Sequence, residues 1–451
     1  MCPCDFTRTH ALEKTLKKPE NIALVLIKFS IPLILSGILQ QLYSWADAFI
    51  VGNVEGEASL AAIGSTMSIV NFFVMAITGF TLGLSILAAQ RYGAGDFEII
   101  PKILSTFTVI LGVVFTLAAV AGSIFSPQLL ALMRTDEQML SPALSYLSTV
   151  FLGVPFLAVY NVYSAVLRGV GDSRAPFFAI IVSTVVNVIL DIIFVAVLHM
   201  GTFGAAVATV TAQGAMAVFT VIYAVKKHKL LHFKLSGGMM CRCSFTDGMR
   251  LGIPTMIQSC VTAFGSLVLQ NFMNGFGTAT VAAITTAYRV DSMILLPIIN
   301  LSSGISTITA QSHGAGDSAR AKRVLVTGGV MMLCVSLTLT LVVVTAGGFL
   351  ISIFGVGSEA LAIGKQFFVC IAAFYAVFGG ANAIRGYLEG IGDVTFSGAV
   401  NIISLAVRIA GSYALVGFLG NMVIAWAEII AWILLLLMYI VRLMYKLKSK
   451  A

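Results

Sequence analysis

The chain of 451 residues is 59% hydrophobic and only 10% charged, with a net charge of +8. Soluble domains carry about 25% charged residues, so a water-soluble enzyme is excluded: there are too few polar side chains to cover such a body. Lipid is the expected solvent, and the length accommodates about a dozen spans of ~20 residues or more.

The N-terminal stretch MCPCDFTRTHALEKTLKKPEN is polar and basic, lacks the apolar core of a cleaved signal, and is expected to stay cytoplasmic as a tail over 1–21. Apolar runs between charged or Gly/Pro breaks then predict spans near 22–52, 59–90, 101–125, 142–166, 175–197, 204–225, 246–274, 279–311, 323–348, 361–385, 395–416 and 420–443. The fold class expected is an all-α integral membrane protein of twelve transmembrane helices. Only Arg134 and Lys365 fall in loops that must be external, and Arg289 and Arg408 sit inside spans. The remaining basic residues, including Lys226, Lys227, Lys229, Lys234, Arg242 and Arg250 between spans 6 and 7, lie on one side, so both termini are expected in the cytoplasm. This bias accounts for the net charge without a nucleic-acid partner.

LGLSILAAQRYGAGD at 82–96 and SGISTITAQSHGAGD at 303–317 share G-x-S and A-Q-x-x-G-A-G-D at a shift of 221 residues. GVGD at 169–172 meets GIGD at 390–393 at the same shift, and Ile31-Pro32 meets Ile253-Pro254 one residue off. One register kept over so much chain is a repeat of six spans. An even number of spans makes the second copy enter in the same orientation, which predicts two six-helix bundles related by a parallel internal repeat. The organisation expected is an N-lobe over 22–225, a cytoplasmic linker over 226–245, a C-lobe over 246–443 and a tail over 444–451. Two parallel bundles leave a seam that can open alternately to either side, the architecture of a secondary transporter. A membrane receptor or scaffold without transport is the bland alternative.

Charged groups deep in a span cost about 2.5–3.5 kcal/mol on insertion scales. Here they are Asp47, Asp191, Arg289, Asp291, Arg408 and Glu428. Asn187 and Asp191 are four apart on one helix face, and Thr209 lies as far beyond the turn near residue 200 as Asp191 lies before it, with Asp47 at a similar depth. These four oxygen-bearing side chains suit Na⁺ or a shared proton, or else a structural helix-bonding network. Their repeat counterparts are Leu269, Arg408, Ser412 and Ile430. This asymmetry favours a coupling-ion site, since a structural need would recur in both halves.

Arg289 and Asp291, two apart, face opposite sides of their helix and serve either a structural ion pair or a substrate. Glu428 is a weaker candidate for a second proton site. Residues expected to face the seam include Gln40, Tyr43, Asn71 and Tyr163 from the first lobe, and Met256, Gln258, Tyr288, Arg289 and Asp291 toward the second. Aromatic and Met walls with few polar anchors suit bulky cationic or amphipathic ligands. The glycine-rich turns lack the Gly-Lys-Ser/Thr ending of a phosphate loop. His228, His232, Cys241 and Cys243 fit no standard zinc spacing, and the seven cysteines imply no disulfide framework. No catalytic set lies within the spans, and no enzyme is expected.

The paired AQ-x-x-GAGD turns after spans 2 and 8, QQLYSWADAFIVGN in span 1 and N-x-x-x-D in span 5 resemble the multidrug and toxic compound extrusion (MATE) transporters over nearly the whole chain. The resemblance implies two six-helix lobes around a V-shaped cavity and export of organic cations or amphipathic drugs against H⁺ or Na⁺. It implies a bacterial plasma-membrane protein without a cofactor, with Asp47, Asn187, Asp191 and Thr209 as the first-lobe ion site; because the pair of lobes looks complete in itself, a monomer is expected. Span 7, PTMIQSCVTAFGSLVLQN, lacks the acidic residue of another branch, which turns the expectation of ion coupling to the first lobe. A lipid or lipid-linked sugar flippase of the same superfamily is the alternative within this resemblance.

Overall fold

The computed structural model describes residues 21–133, 135–228, 230–233 and 242–448. Cys2, Cys4, Cys241, Arg134, Lys229 and Lys234 lie outside the described residues. Sixteen α-helices occupy the described chain: α1 (Ile22–Val54), α2 (Glu57–Gly93), α3 (Ile99–Ile124), α4 (Ser126–Leu132), α5 (Glu137–Phe151), α6 (Val154–Gly169), α7 (Arg174–Asp191), α8 (Gly201–Lys227), α9 (Arg242–Met273), α10 (Thr278–Ile294), α11 (Leu296–Gly314), α12 (Ser318–Ser352), α13 (Ser358–Ala372), α14 (Tyr375–Gly390), α15 (Val394–Leu419) and α16 (Val423–Lys448). No strand occurs among the described residues, as expected where lipid leaves no water to satisfy an open sheet edge.

Among the described residues, nine apolar stretches are long enough to cross a membrane, and two bent helix pairs bring the number to eleven. One stretch, Val394–Lys448, has 55 residues, which as a straight helix would run about 80 Å, more than twice a ~30 Å hydrocarbon core. It is divided at Gly420, where φ is 55°, and α15 and α16 pack side by side. Among the described residues the spans are therefore twelve.

Two spans read as single runs are broken in the structure. α5 and α6 meet at a 42° bend, and α13 and α14 at 47°. Pro155 sits in the first turn of α6, where its missing N–H does least harm to a new helix. The equivalent break after Ala372 has neither proline nor glycine within it.

The chain forms two compact units, one of Leu35–Met256 and the other of 21–34 with 257–448. Each unit thus includes the opening turns of a long helix whose remainder belongs to the other. The pairings within them correspond: α2 with α6, α3 with α6, and α7 with α8 in the first match α11 with α14, α12 with α14, and α15 with α16 in the second. Lipid supplies no hydrophobic force between helices, so small residues that permit close approach carry the packing. A Cβ on Gly169 would lie 2.6 Å from Ala88 Cβ, and one on Gly390, its repeat partner, 2.7 Å from Thr309 Cβ. Gly83 likewise lets the Leu251 backbone of α9 close against α2, and its counterpart Gly304 receives Ser30 of α1.

The four glycine-rich turns share one geometry. Gly95, Gly171, Gly316 and Gly392 have φ between 73° and 95°, which glycine alone adopts at little cost. The next N–H, from Asp96, Asp172, Asp317 or Asp393, bonds the carbonyl five residues back, closing a Schellman motif. The aspartate then opens the next helix: Asp317 accepts from the Arg320 N–H, and Asp172 from those of Arg174 and Ala175. His228, weighed above as a zinc ligand, instead sits 2.8 Å from Asp172 Oδ2. Burial works to raise the Asp172 carboxyl, but hydrogen bonds from His228 and Lys227, the Lys227 charge and the Ala175 N–H outweigh it and hold the group below the usual carboxylate range.

Two predictions follow from these contacts. Gly83→Val is expected to cost about 1–3 kcal/mol through overpacking, whereas Gly64→Ala, with open space around its Cβ, should stabilise by up to about 1 kcal/mol. Thermal melting of the purified protein reads both, and an unchanged Tm for Gly83→Val would show that α9 does not dock there. A depressed carboxyl contributes stability above its unfolded pKa, lost as pH falls through the folded value. Asp172→Asn should therefore lower stability at pH 7 by about 1–2 kcal/mol, with the gap to wild type closing progressively below pH 3.8.

Candidate functional site

In the first unit, α1 brings Asp47, α7 brings Asn187 and Asp191, and α8 brings Thr209. Asp47 is 6% exposed, Asn187 and Asp191 are fully buried, and Thr209 is 7% exposed. The Asp47 carboxyl lies against that of Asp191, and the Asn187 amide is also within reach of Asp191. Asp47 Oδ1, both Asp191 oxygens, both polar atoms of Asn187 and Thr209 Oγ1 are buried without a hydrogen-bond partner assigned to them. Orphaned oxygens at this density are rare in folded proteins. Two carboxylates with amide and hydroxyl oxygens form a hard donor set for Na⁺, or a pair able to share a proton. No three His, Cys, Asp or Glu side chains converge to hold a metal among the described residues.

Local structure explains the gathering. Asp191 ends α7, and the chain continues as a π-helical turn over Ile192–Val197. Such turns insert a residue, rotate the face that follows, and recur at functional sites. Val195 of this turn is fully buried with Val51, Ile63, Tyr146 and Ala205, an apolar cluster that joins α1 to α2, α5 and α8 near the carboxyl pair. Close backbone approaches of α1 to its neighbours are sparse, whereas α7 and α8 run side by side.

Two hydroxyls complete the surroundings. Tyr43 lies beside Thr209, within range of the charges of Asp47 and Asp191. Tyr146 of α5, which sequence reasoning missed, occupies the same environment. Its repeat counterpart is Phe367, so the asymmetry that singled out Asp47 would also have found it.

The other expected residues divide between the units. In the first, Gln40 and Asn71 are exposed, Tyr43 and Met256 half-buried, and Tyr163 buried. In the second, Gln258 and Asp291 are buried, Tyr288 half-buried and Arg289 exposed. Tyr288 is engaged: its hydroxyl donates to Glu428 Oε2 at 2.8 Å and accepts from Arg408 Nη2 at 2.7 Å. Arg408 also meets Glu428 Oε2 directly at 3.0 Å, an ion pair between α15 and α16. Asp291 accepts a hydrogen bond from Tyr375 of α14.

Duplicated bundles of apolar spans with buried charge define a multi-pass membrane transporter, not an enzyme. A family model described as MatE matches twice, over residues 32–193 and 254–414, at the offset of the internal repeat. These matches cover well over half the sequence, and the chain belongs to the MATE family. It is 29% identical over 390 residues to the probable multidrug resistance protein YpnP of Bacillus subtilis, covering 85% of this chain and 86% of that protein. It is 23% identical over 411 residues to the multidrug export protein MepA of Staphylococcus saprophyticus, covering 90% of each. Among solved structures, an outward-facing MATE transporter of the MOP superfamily superposes with a TM-score of 0.89 at 19% identity, covering 96% of this chain and 98% of that one. A MATE structure in a bent conformation gives 0.85 at 20% identity, covering 96% and 99%.

Removing one partner of a buried ion pair strands the other. Arg408→Gln is expected to cost about 3–5 kcal/mol, whereas replacing both Arg408 and Glu428 by Met should be close to neutral. A double-mutant cycle on thermal stability checks this, and additive losses would argue against a direct pair.

Proposed function

We propose that this protein is a secondary active multidrug exporter of the bacterial plasma membrane, with cytoplasmic termini, that antiports organic cations or amphipathic drugs against H⁺ or Na⁺ by alternating access. Asp47, Asn187, Asp191 and Thr209 form its coupling site. The observation that carries this reading is the Asp47–Asp191 carboxyl pair, buried among oxygens without hydrogen-bond partners. Two carboxylates in contact repel strongly in a poorly polarisable interior, so a proton or Na⁺ balances the pair. Arrival of that ion removes repulsion between α1 and α7. Since α1 has few close backbone approaches, neutralisation can repack it at modest cost, linking ion occupancy to the state of the transporter. One charge moving inward across 100 mV supplies about 2.3 kcal/mol, comparable to ordinary coupling free energies of about 1–3 kcal/mol. The relatives named as multidrug resistance and export proteins support the substrate class.

The test is ethidium export by purified protein in proteoliposomes under separately imposed Na⁺ and pH gradients. One gradient should drive flux, identifying the ion. Asp47→Asn and Asp191→Asn should each reduce that driven flux by about 5–150-fold. Gradient-driven export at wild-type rate in both variants would sink the assignment of the site. Absence of driven flux in the wild type would sink the drug-antiport reading itself.

A further inference from the structure

The second unit carries its own buried polar cluster, with a different charge balance. Asp291 of α10 is 3% exposed, and Tyr375 donates its hydroxyl hydrogen to Oδ1. The charges of Glu428 and Arg408 both reach Asp291. Glu428 is already matched, by Arg408 at 3.0 Å and by the Tyr288 hydroxyl at 2.8 Å. A neutral tyrosine is thus the direct partner of Asp291. If both carboxyls were ionised, two negative charges would face one positive charge in a buried place, and a buried charge must be compensated. On α13, which packs along α10, Lys365 lies instead against Gly348 of α12 and is exposed, so it does not supply the missing charge.

We propose that Asp291 binds and releases a proton, giving the second unit an ion site of its own. With Oδ1 held by Tyr375, the proton resides on Oδ2, and the cluster is neutral: one guanidinium, one carboxylate and one carboxylic acid. Release sends that proton to water and leaves a net charge of −1. Arg408 has the means to answer it, because its Nε–H is buried without a hydrogen-bond partner while its Nη2 holds Glu428 and Tyr288. The site is built on α10, α14, α15 and α16, not on the acid-free α9. At a shift of 221, Tyr288, Asp291, Tyr375 and Glu428 correspond to Met67, Val70, Val154 and Val207, so the first unit has no copy of it. The protonation of Asp291 does not depend on the coupling role proposed for Asp47 and Asp191.

Infrared spectroscopy of the full chain in lipid nanodiscs, in deuterated buffer, tests this through the carboxylic-acid C=O band. The background is Asp47→Asn with Asp191→Asn, which removes the first unit's acids. Subtracting the spectrum of the same background with Asp291→Asn should leave one acid band that disappears as the pH is raised. Tyr375→Phe should move that band to higher wavenumber, as a carbonyl does when it loses a hydrogen bond. This second variant keeps the test available if Asp291→Asn does not fold. No acid band in the difference, a band that does not titrate, or a band unmoved by Tyr375→Phe would each overturn the proposal. None of these readings uses drug flux, so failure of the exporter reading and failure of this one are distinguishable.

Discussion

A carboxyl group buried in a membrane protein must be matched by a positive charge, a proton or a metal cation, because the surrounding medium cannot solvate it. The two units meet this demand differently. In the first, Asp47 and Asp191 face each other with an amide and hydroxyls nearby. In the second, Arg408 neutralises Glu428, and Asp291 is left with a phenol. Arg408 stands at the repeat position of Asn187, so equivalent helices carry a neutral amide in one unit and a fixed positive charge in the other.

The scaffold beneath these clusters has diverged far less. Matching helix pairs pack in each unit, and glycines at equivalent positions permit the same close approaches. Four Schellman turns, each with a left-handed glycine followed by aspartate, end one helix shortly before the next begins. Backbone geometry at such turns and contacts tolerates little variation, whereas side chains within a bundle can change provided their charges balance. A duplicated chain can therefore keep its architecture while its two halves acquire different polar chemistry.

The first-unit site combines rigid and compliant parts. α7 and α8 are packed together and hold Asn187, Asp191 and Thr209, while Asp47 rides on α1, whose close backbone contacts are few. The π-helical turn after Asp191 sits where these parts meet, buried through Val195 against Val51 of α1.

Much of this was legible in the residues. Apolar runs separated by charged or glycine breaks are imposed by bilayer thickness, so the twelve spans and their approximate limits follow from composition along the chain. The repeat, its turns and the candidacy of Asp47, Asn187, Asp191 and Thr209 follow from register alone, because charge within a span is costly and an unduplicated charge is informative. Contacts between distant helices are not encoded by local pattern. The bends at residues 152–153 and 373–374, the exchange of opening turns by α1 and α9, the π-helical turn, Tyr146 beside the carboxyl pair and Tyr375 on Asp291 were decided by tertiary packing. Each depends on which side chains meet across separate spans, and periodicity determines a helix face without determining what that face will touch.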